Sequence, residues 1–573
     1  MLLGVFVKTT RRRRGDKTYE YLSLVESVRE GPKTRHRTLL RLGEVTALRD
    51  SGQLERIVAV LEAHLRRERG CVDAGALAAE GAPAAGGVAA VRAVWQRLGL
   101  GGFFDAVGAR RGSEALADAV FAMTANRLVA PCSKRRMGEW AERDVAMPAG
   151  WSAPSADQYY RALDAVADAK TDAEEHLYSR LCDLTNMDLA LVCYDLTSTY
   201  FEAPGQRSDR FPSRAFGYSR DHRGDRPQVV IGLLCTGDGI PIAHHTFAGN
   251  TADASTLPGV LEDLAGRFAV GRICVVADRG LISTANVEAV GAAGFDHVLA
   301  TKLRRDRAAE EALHAIDDRT AWVDMADHRC RAAETPLADG TRAVVVESDA
   351  RARRDTARTA ELVARAETAL LGLEHRVRSG RLADPAKIGR AAPRILGPSG
   401  VSRLFDLDIG QGRFVYHYDE AAHAWDKLLA GRYVLTTSLA HEQADTARVV
   451  AAYRQLAGVE ARFQTLKDFL KLRPIRHWTE HRVRGHIAVC VWAAVIETLI
   501  AKDLAAADIA DPDQPEQHLT APRALRELDR IRRVHLTAAG RSIELTTRRS
   551  PLQASILTAI GADTRHWDNT HIG

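Results

Sequence analysis

Leu189–Asp195 reads LALVCYD, an apolar run of strand length that closes on an acid. A polar, arginine-rich stretch follows at Gly205–Pro227. Two further apolar runs, Gln228–Thr236 (QVVIGLLCT) and Ile240–Phe247, are joined by Gly237-Asp238-Gly239, and an Asp-Gly join between such runs predicts a β-hairpin. Thr256–Phe268 is patterned as a helix. Arg272–Asp278 (RICVVAD) is a second apolar strand ending in an acid, Asn286–Ala293 a short helix and Asp296–Thr301 another strand. Strand, hairpin pair, helix, strand, helix, strand predicts an α/β core beginning at 189–301.

Tyr453–Lys467 (YRQLAGVEARFQTLK) lies in one long helix predicted over Thr446–Leu472. Tyr453, Glu460 and Lys467 are spaced by sevens, so at about 3.6 residues per turn they share a face with Leu456, Phe463 and Leu470. An acid and a base are thus threaded into a stripe expected to be buried. That is costly unless they are paired, hydrogen-bonded or bound to a metal, and a functional site is the economical explanation.

Asp195 and Asp278 each end a strand, and Glu460 sits on the later helix. Strand ends are rigid platforms for side chains. Carboxylate oxygens suit hard divalent cations, and two such ions about 4 Å apart can clamp an in-line phosphoryl displacement. A strand-terminal aspartate alone is as often a turn or helix cap. The triplet in this strand order is far more specific.

The rest of the chain frames this core. Leu3–Thr9 and Tyr19–Val28 predict strands around Arg11–Asp16 (RRRRGD), either a hairpin with a solvated turn or a phosphate-contacting tip. Ala74–Ala90, rich in Ala and Gly, has the composition of a linker, and Val91–Asp188 is patterned as helices. Lys134, Arg135 and Arg136 beside Trp140 form a basic cluster with an aromatic, a candidate DNA contact. Lys302 to about Ala430 reads as an insertion, with a long helix at Asp355–Ser379 and strands near Ala343–Glu347 and Arg413–Tyr418. Tyr433–Thr437 returns to strand, Ile487–Lys502 is a buried helix, and the tail from Ala521 mixes a helix with short strands.

Over 573 residues, 46% are apolar and 27% charged, as in a globular chain with a sizeable core, and the net charge of +5 permits a nucleic-acid partner without requiring one. The eight cysteines form no CxxC pair; Cys193, Cys235 and Cys274 fall in apolar runs and read as small core residues of a reducing compartment. The first residues place their basic run after the apolar one, the reverse of a signal peptide, and Ile487–Ile496 is too short to span a bilayer. A cytoplasmic, nucleoid-associated protein without a membrane partner is expected.

The chain resembles the DDE insertion-sequence transposases. The residues that carry the likeness are Asp195 in YDLTSTYFE, Gly249–Thr256 (GNTADAST), Asp278 in VVADRGLIS, the set Tyr453, Glu460 and Lys467, and Arg473–Ile487 (RPIRHWTEHRVRGHI). The resemblance implies an RNase H-like mixed-sheet core in two parts, 189–301 and 431–502. Between them lies an α+β insertion at 302–430. An N-terminal β-hairpin region (1–73), a helical DNA-binding region (88–188) and a C-terminal region (503–573) complete the chain. It implies that Asp195, Asp278 and Glu460 bind two Mg²⁺ or Mn²⁺ and cut double-stranded DNA at transposon ends, with water and then a 3′-hydroxyl as nucleophiles. It implies phosphate contacts from Tyr453 and Lys467, a homodimer on the terminal inverted repeats and target DNA, and, in members that cut through a hairpin, a base-holding aromatic at the place of Tyr433. One departure stands out: the signature arginine three residues after the tyrosine is here Leu456, while Arg454 and Arg462 point elsewhere on the helix.

The loop Gly205–Arg226, with Arg207, Arg210, Arg214, Arg220, Arg223 and Arg226, is expected to lie where a polyanion would pass. Three other readings compete. His477-Trp-Thr-Glu480-His481 fits the H-x-x-E-H zinc pattern, with Glu497 as a third ligand. A decayed or domesticated DNA-binding protein would have lost catalysis, and a nuclease would cut without joining.

Overall fold

The computed structural model describes all residues except 1–3, 31–32, 69–77, 186–190, 204–210, 269–272, 282, 318, 327–328, 398–399, 539–540, 563, 565–570 and 573. It divides into two compact units, Met1–Ala82 with Val534–Leu545 and Trp567–Gly573, and Pro83–Arg533 with Thr546–His566.

In the first unit, β1 (Val5–Arg14), β2 (Lys17–Glu30) and β3 (Lys33–Glu44) form an antiparallel sheet with β2 in the middle. The predicted hairpin is present. Its turn is Gly15-Asp16, with Gly15 at φ 64°, so Arg11–Arg14 lie in the strand and not at a tip. Arg11 pairs across the sheet with Glu20 at 2.7 Å. β4 (Ala78–Gly81) pairs with His535, Leu536 and Thr537 of a late strand. Residues 74–77 of the expected linker lie outside the described residues. The remainder is ordered structure: in the second unit Ala84, Ala85, Val88 and Ala90 are buried. Small residues serve here because the Gly86–Arg97 helix starts against backbone; a Cβ on Gly86 would meet the Leu528 carbonyl oxygen at 2.4 Å.

The second unit is built on a nine-stranded mixed sheet. Its strands are β5 (Leu191–Tyr200), β6 (Gln228–Thr236), β7 (Pro241–Ala248), β8 (Cys274–Ala277), β9 (Asp296–Ala300), β10 (Val323–Asp324), β11 (Arg331–Pro336), β12 (Arg342–Glu347) and β15 (Arg432–Thr437). β13 (Phe405–Gly410) and β14 (Arg413–Tyr418) form a separate hairpin. The spatial order is β10-β11-β12-β15-β9-β8-β5-β6-β7. β5, β8 and β9 are parallel, while β6 runs antiparallel to β5 and β7 to β6. The helices Leu257–Arg267 and Thr284–Ala292 connect these strands in the predicted order. β6 is buried at every residue, as a strand covered on both faces must be.

One face of the sheet is closed by Tyr194, Val230, Val275 and Ala277 packing on Val260, Leu261 and Leu264. Successive strand residues point to opposite faces, so the residue after Tyr194 faces the other way. On that side the helix Leu456–Gln464 lies along β5. Of the segment between β9 and β15, β10–β12 widen the sheet. The helix Asp349–Arg378, the helix Pro385–Leu396 and the β13–β14 hairpin enclose a core of their own. Helices fill Gly86–Thr185 and pack around Glu480–Ala506, whose burial over most of 27 residues matches its apolar character on all sides. None of the described helices is long and apolar enough to cross a membrane. Cys193 and Cys235 are fully buried and Cys274 nearly so, as core residues.

Candidate active site

The parallel register of β5 and β8 sets Val192 beside Val275, Cys193 beside Val276 and Tyr194 beside Ala277. Asp195 follows Tyr194 within β5 and Asp278 follows Ala277 at the end of β8, so each acid comes directly after the same paired level. The Leu196 backbone N–H donates to Asp195 Oδ1 at 2.7 Å. Burial pushes the Asp195 carboxyl up to about 7. The charges of Asp278 and Glu460 push in the same direction, against the Leu196 N–H and the Arg220 guanidinium. Two carboxylates distant in sequence are therefore within electrostatic reach of Asp195.

Glu460 itself departs from the sequence expectation: it is exposed, whereas Leu456, Val459, Phe463, Leu466 and Leu470 are buried. At roughly 100° per residue the buried stripe centres between Leu456 and Val459, and Glu460 falls at its edge. No charge is forced into the core. The predicted single helix is also divided, into Thr446–Arg454, Leu456–Gln464 and a wider turn at Thr465–Phe469. Tyr453 therefore belongs to a different segment from Glu460. The β6–β7 turn sets the position of the Glu460 helix: Gly239 (φ 74°) lies against Gly458, where a Cβ would stand 3.3 Å from the Gly239 Cα. From the other side Arg462 pairs with the buried Glu497 and donates to Thr498 Oγ1 at 2.7 Å.

Tyr453, half-buried, donates its hydroxyl to Asp278 Oδ1 at 3.3 Å. Its ring packs on Tyr433, with centroids 5.6 Å apart, so Tyr433 already has an aromatic partner. Lys467 reaches Asp221 at 2.8 Å, and Arg473 bonds the same carboxylate, which is 3% exposed. Leu456, at the place of the signature arginine, is a core residue, and Arg454 donates to Cys330 Sγ at 2.6 Å. Arg279, exposed beside Asp278 and close enough to Tyr453 to stabilise its phenolate, has no hydrogen-bond or ion-pair partner among the described residues. Asp221 and Arg279 are residues the sequence reading passed over, and Arg473 entered it only as the first residue of RPIRHWTEHRVRGHI. The one signal for Arg279 was its place next to a strand-terminal acid.

The arginine-rich loop is more self-satisfied than its composition predicts. Arg207 and Arg210 lie outside the described residues. Arg214 is buried over the Phe201 ring, and Arg220 pairs with Asp253 at 2.6 Å. Arg223 pairs with Asp225 at 2.7 Å, and Arg226 with Asp225 at 3.3 Å. Asp253 belongs to GNTADAST, which also supplies Thr256 Oγ1 to the Tyr194 hydroxyl at 3.0 Å and the Ala254 carbonyl to Asn286 Nδ2 at 2.8 Å. That segment braces the sheet next to Asp195.

From Arg279 a groove of about 730 Å³ opens along Lys302, Arg305, Arg351, Arg358 and Lys427. Elsewhere in the same unit, Lys134 is buried, with its ammonium held down to about 7 by burial and by the charge of Arg127, while Arg135 and Arg136 are exposed. The zinc reading of HWTEH is dismantled. His477 precedes the helix that starts at Glu480 and packs on His486, with centroids 5.0 Å apart; His481 pairs with Asp168 at 2.8 Å; Glu480 accepts from Ser213 Oγ at 2.8 Å; Glu497 holds Arg462.

Among the described residues no three Asp, Glu, His or Cys side chains stand close enough to grip one ion together. The donor set of Asp195, Asp278 and Glu460 still fits a hard divalent cation. All three offer carboxylate oxygens, and the raised pKa of Asp195 is the kind of strain an added positive charge relieves.

The fold thus places two aspartates directly after the paired residues of parallel strands, on a core along which the Glu460 helix packs. The transposase DDE domain model matches residues 192–496, more than half of the chain, and the chain belongs to that family, the DDE transposases. The IS1634 family transposase N-terminal domain model matches residues 7–74. Among solved structures the chain is similar to a piggyBac transposase in a synaptic complex with hairpin DNA, with 11% identity, 73% of this chain and 70% of that chain covered, and a TM-score of 0.32. It is also similar to a Mos1 transposase in a paired-end complex with its left transposon end, with 12% identity, 34% and 60% covered, and a TM-score of 0.15. No curated protein matches.

Proposed function

We propose that this transposase cleaves DNA strands at transposon ends and joins them to target DNA, with Asp195, Asp278 and Glu460 as its metal-binding acids on an RNase H-like core. The observation that carries this reading is the β5–β8 register, which sets Asp195 and Asp278 directly after the same paired level, on a core along which the Glu460 helix packs. Asp195, Asp278 and Glu460 would hold the divalent ions; when bound, these supply Lewis acidity at phosphoryl oxygens and lower the pKa of water or of a 3′-hydroxyl. The protein's own groups do the rest. Tyr453 orients Asp278, while Asp221 holds Lys467 and Arg473. Arg279 and the groove beyond it give a polyanion a cationic bed, and Arg279 stands in for the contact that Leu456 cannot make. Two copies on paired ends would serve the two cleavages.

The test is cutting and joining of oligonucleotides bearing the inverted repeats that flank the gene. Asp278→Ala is expected to abolish Mg²⁺-dependent cutting while leaving DNA binding intact. Cutting that survives in Asp278→Ala would end the proposal. Binding without cutting in the unsubstituted protein would favour the non-catalytic reading, and cutting without joining of a pre-cut 3′-hydroxyl end would make it a nuclease.

A further inference from the structure

Another cavity of this unit, about 680 Å³, lies between the Pro131–Arg135 stretch and the chain from Lys471 to His486. Its walls carry Arg127, Lys134, Arg135, Lys471, Arg476 and Arg482, and no acidic residue lines it. The groove at Arg279 differs, since Asp355 and Asp426 stand among its cations.

Within this cavity Lys134 is 5% exposed, and its ammonium has no hydrogen-bond or ion-pair partner among the described residues. A lysine buried without a counter-charge is costly, and the cost is offset if an anion completes the site. The walls are already organised. Arg127 donates to the Leu470 and Lys471 carbonyls at 3.4 Å, and Arg482 is held by Asp164 at 3.3 Å over the Tyr160 ring. Lys471 adopts φ 51°, a conformation unusual for a side chain of this size. Burial keeps the His477 and His486 rings neutral, so the standing positive charge belongs to the arginines and Lys471, and a bound anion would favour the charged form of Lys134. Trp478, 72% exposed, stands on the rim.

The cavity is tied to the strand of Asp195. Ile475 N–H donates to the Tyr200 carbonyl at 2.9 Å, and Glu202 N–H to the Ile475 carbonyl at 3.0 Å. Tyr200 lies five steps along the strand from Asp195, roughly 17 Å at about 3.3 Å per residue. That is about five base-pair rises of a duplex.

We propose that this cavity is a second, metal-independent phosphate site that seats one phosphodiester of the bound DNA, with Lys134 and Arg476 as its contacts and Trp478 as a platform for the adjoining base. The proposal rests on DNA being the substrate. Phosphate chemistry accounts for the all-cationic lining, and the exposed indole suits a polymer that brings a base next to its phosphate.

The experiment is fluorescence anisotropy of the full chain with a labelled duplex in EDTA, over a series of salt concentrations. Lys134→Met and Arg476→Gln are each expected to weaken binding several-fold and to reduce the slope of log K against log salt by about one. Trp478→Ala is expected to weaken binding with the slope unchanged. Arg476 is on the surface, so its variant keeps the test decisive if Lys134→Met does not fold. Wild-type slopes in a folded Arg476→Gln protein would overturn the site. Inorganic phosphate that binds the wild type by calorimetry, is lost in Lys134→Met and leaves the DNA slopes equal would assign the cavity to a free anion and overturn the DNA contact. If the wild type binds no DNA at all, it is the proposed function that fails.

Discussion

The Tyr453 hydroxyl donates to Asp278 Oδ1 at 3.3 Å, a contact between residues 175 apart in sequence. It ties the helix before Glu460 to the end of β8, and Tyr433 backs it from behind. Tyr453→Phe keeps the ring packing and removes only the donor. A hydrogen bond to a charged group is worth about 1.5–3 kcal/mol, so strand cutting is expected to slow about tenfold or more with little change in melting temperature. Single-turnover cleavage at the wild-type rate would show that the bond does not orient Asp278 for catalysis.

Asp221 is a buried carboxylate shared by two cations, Lys467 and Arg473. Removing the acid strands both charges, and breaking such a pair costs about 3–5 kcal/mol. Asp221→Asn is therefore expected to lower the denaturant midpoint strongly. Lys467→Met, which leaves Arg473 on the acid, should cost less. Equal losses from the two substitutions would contradict this arrangement.

Gly458 touches the Gly239 backbone two residues before Glu460. Gly458→Val has no room there and is expected to push the Glu460 helix off β5, at about 1–3 kcal/mol of stability. Cutting should fall by far more than DNA binding does. A variant that cuts normally would mean that the position of this helix does not matter to Glu460.

In the ion-free protein Asp195 keeps its proton up to about pH 7, whereas an unstructured aspartate loses it near 3.8. The folded state holds the extra proton between those values, so ion-free stability declines as pH rises through that window and levels off above it. Cation binding needs the ionised carboxylate. Mn²⁺ affinity is therefore expected to climb up to about tenfold per pH unit below 7 and to flatten by about pH 8, with a proton released on binding. Calorimetry in buffers of different ionisation enthalpy reads this directly. Asp195→Asn should remove both the proton release and the pH dependence; if either persists, Asp195 is not the group that titrates.

Much of the core was legible. Apolar runs of strand length that end in an acid read the same in isolation as in the sheet, because both faces of β5 and β8 are covered. The Asp-Gly join fixed the hairpin by its local conformational preference. Less legible was the Glu460 helix. Spacing by seven placed Tyr453, Glu460 and Lys467 on one face, but the helix breaks at Gln455, and the buried stripe runs through Val459 and Leu466, leaving Glu460 at its edge. The arginine-rich loop reads as free charge until Asp253 is seen to meet Arg220 across 33 residues. Lys134 reads as surface until the walls of its cavity close around it.

The sequence alone determined which acids exist, the order of the strands that carry them, and the kind of ion their oxygens suit, since these depend on residue type and local pattern. Only the tertiary structure decided that Asp195 and Asp278 follow the same paired level of two strands, that Glu460 is exposed, and which cations are already paired. Those facts arise from strand register, helix packing and ion pairs between residues far apart in the chain, and no local preference encodes them.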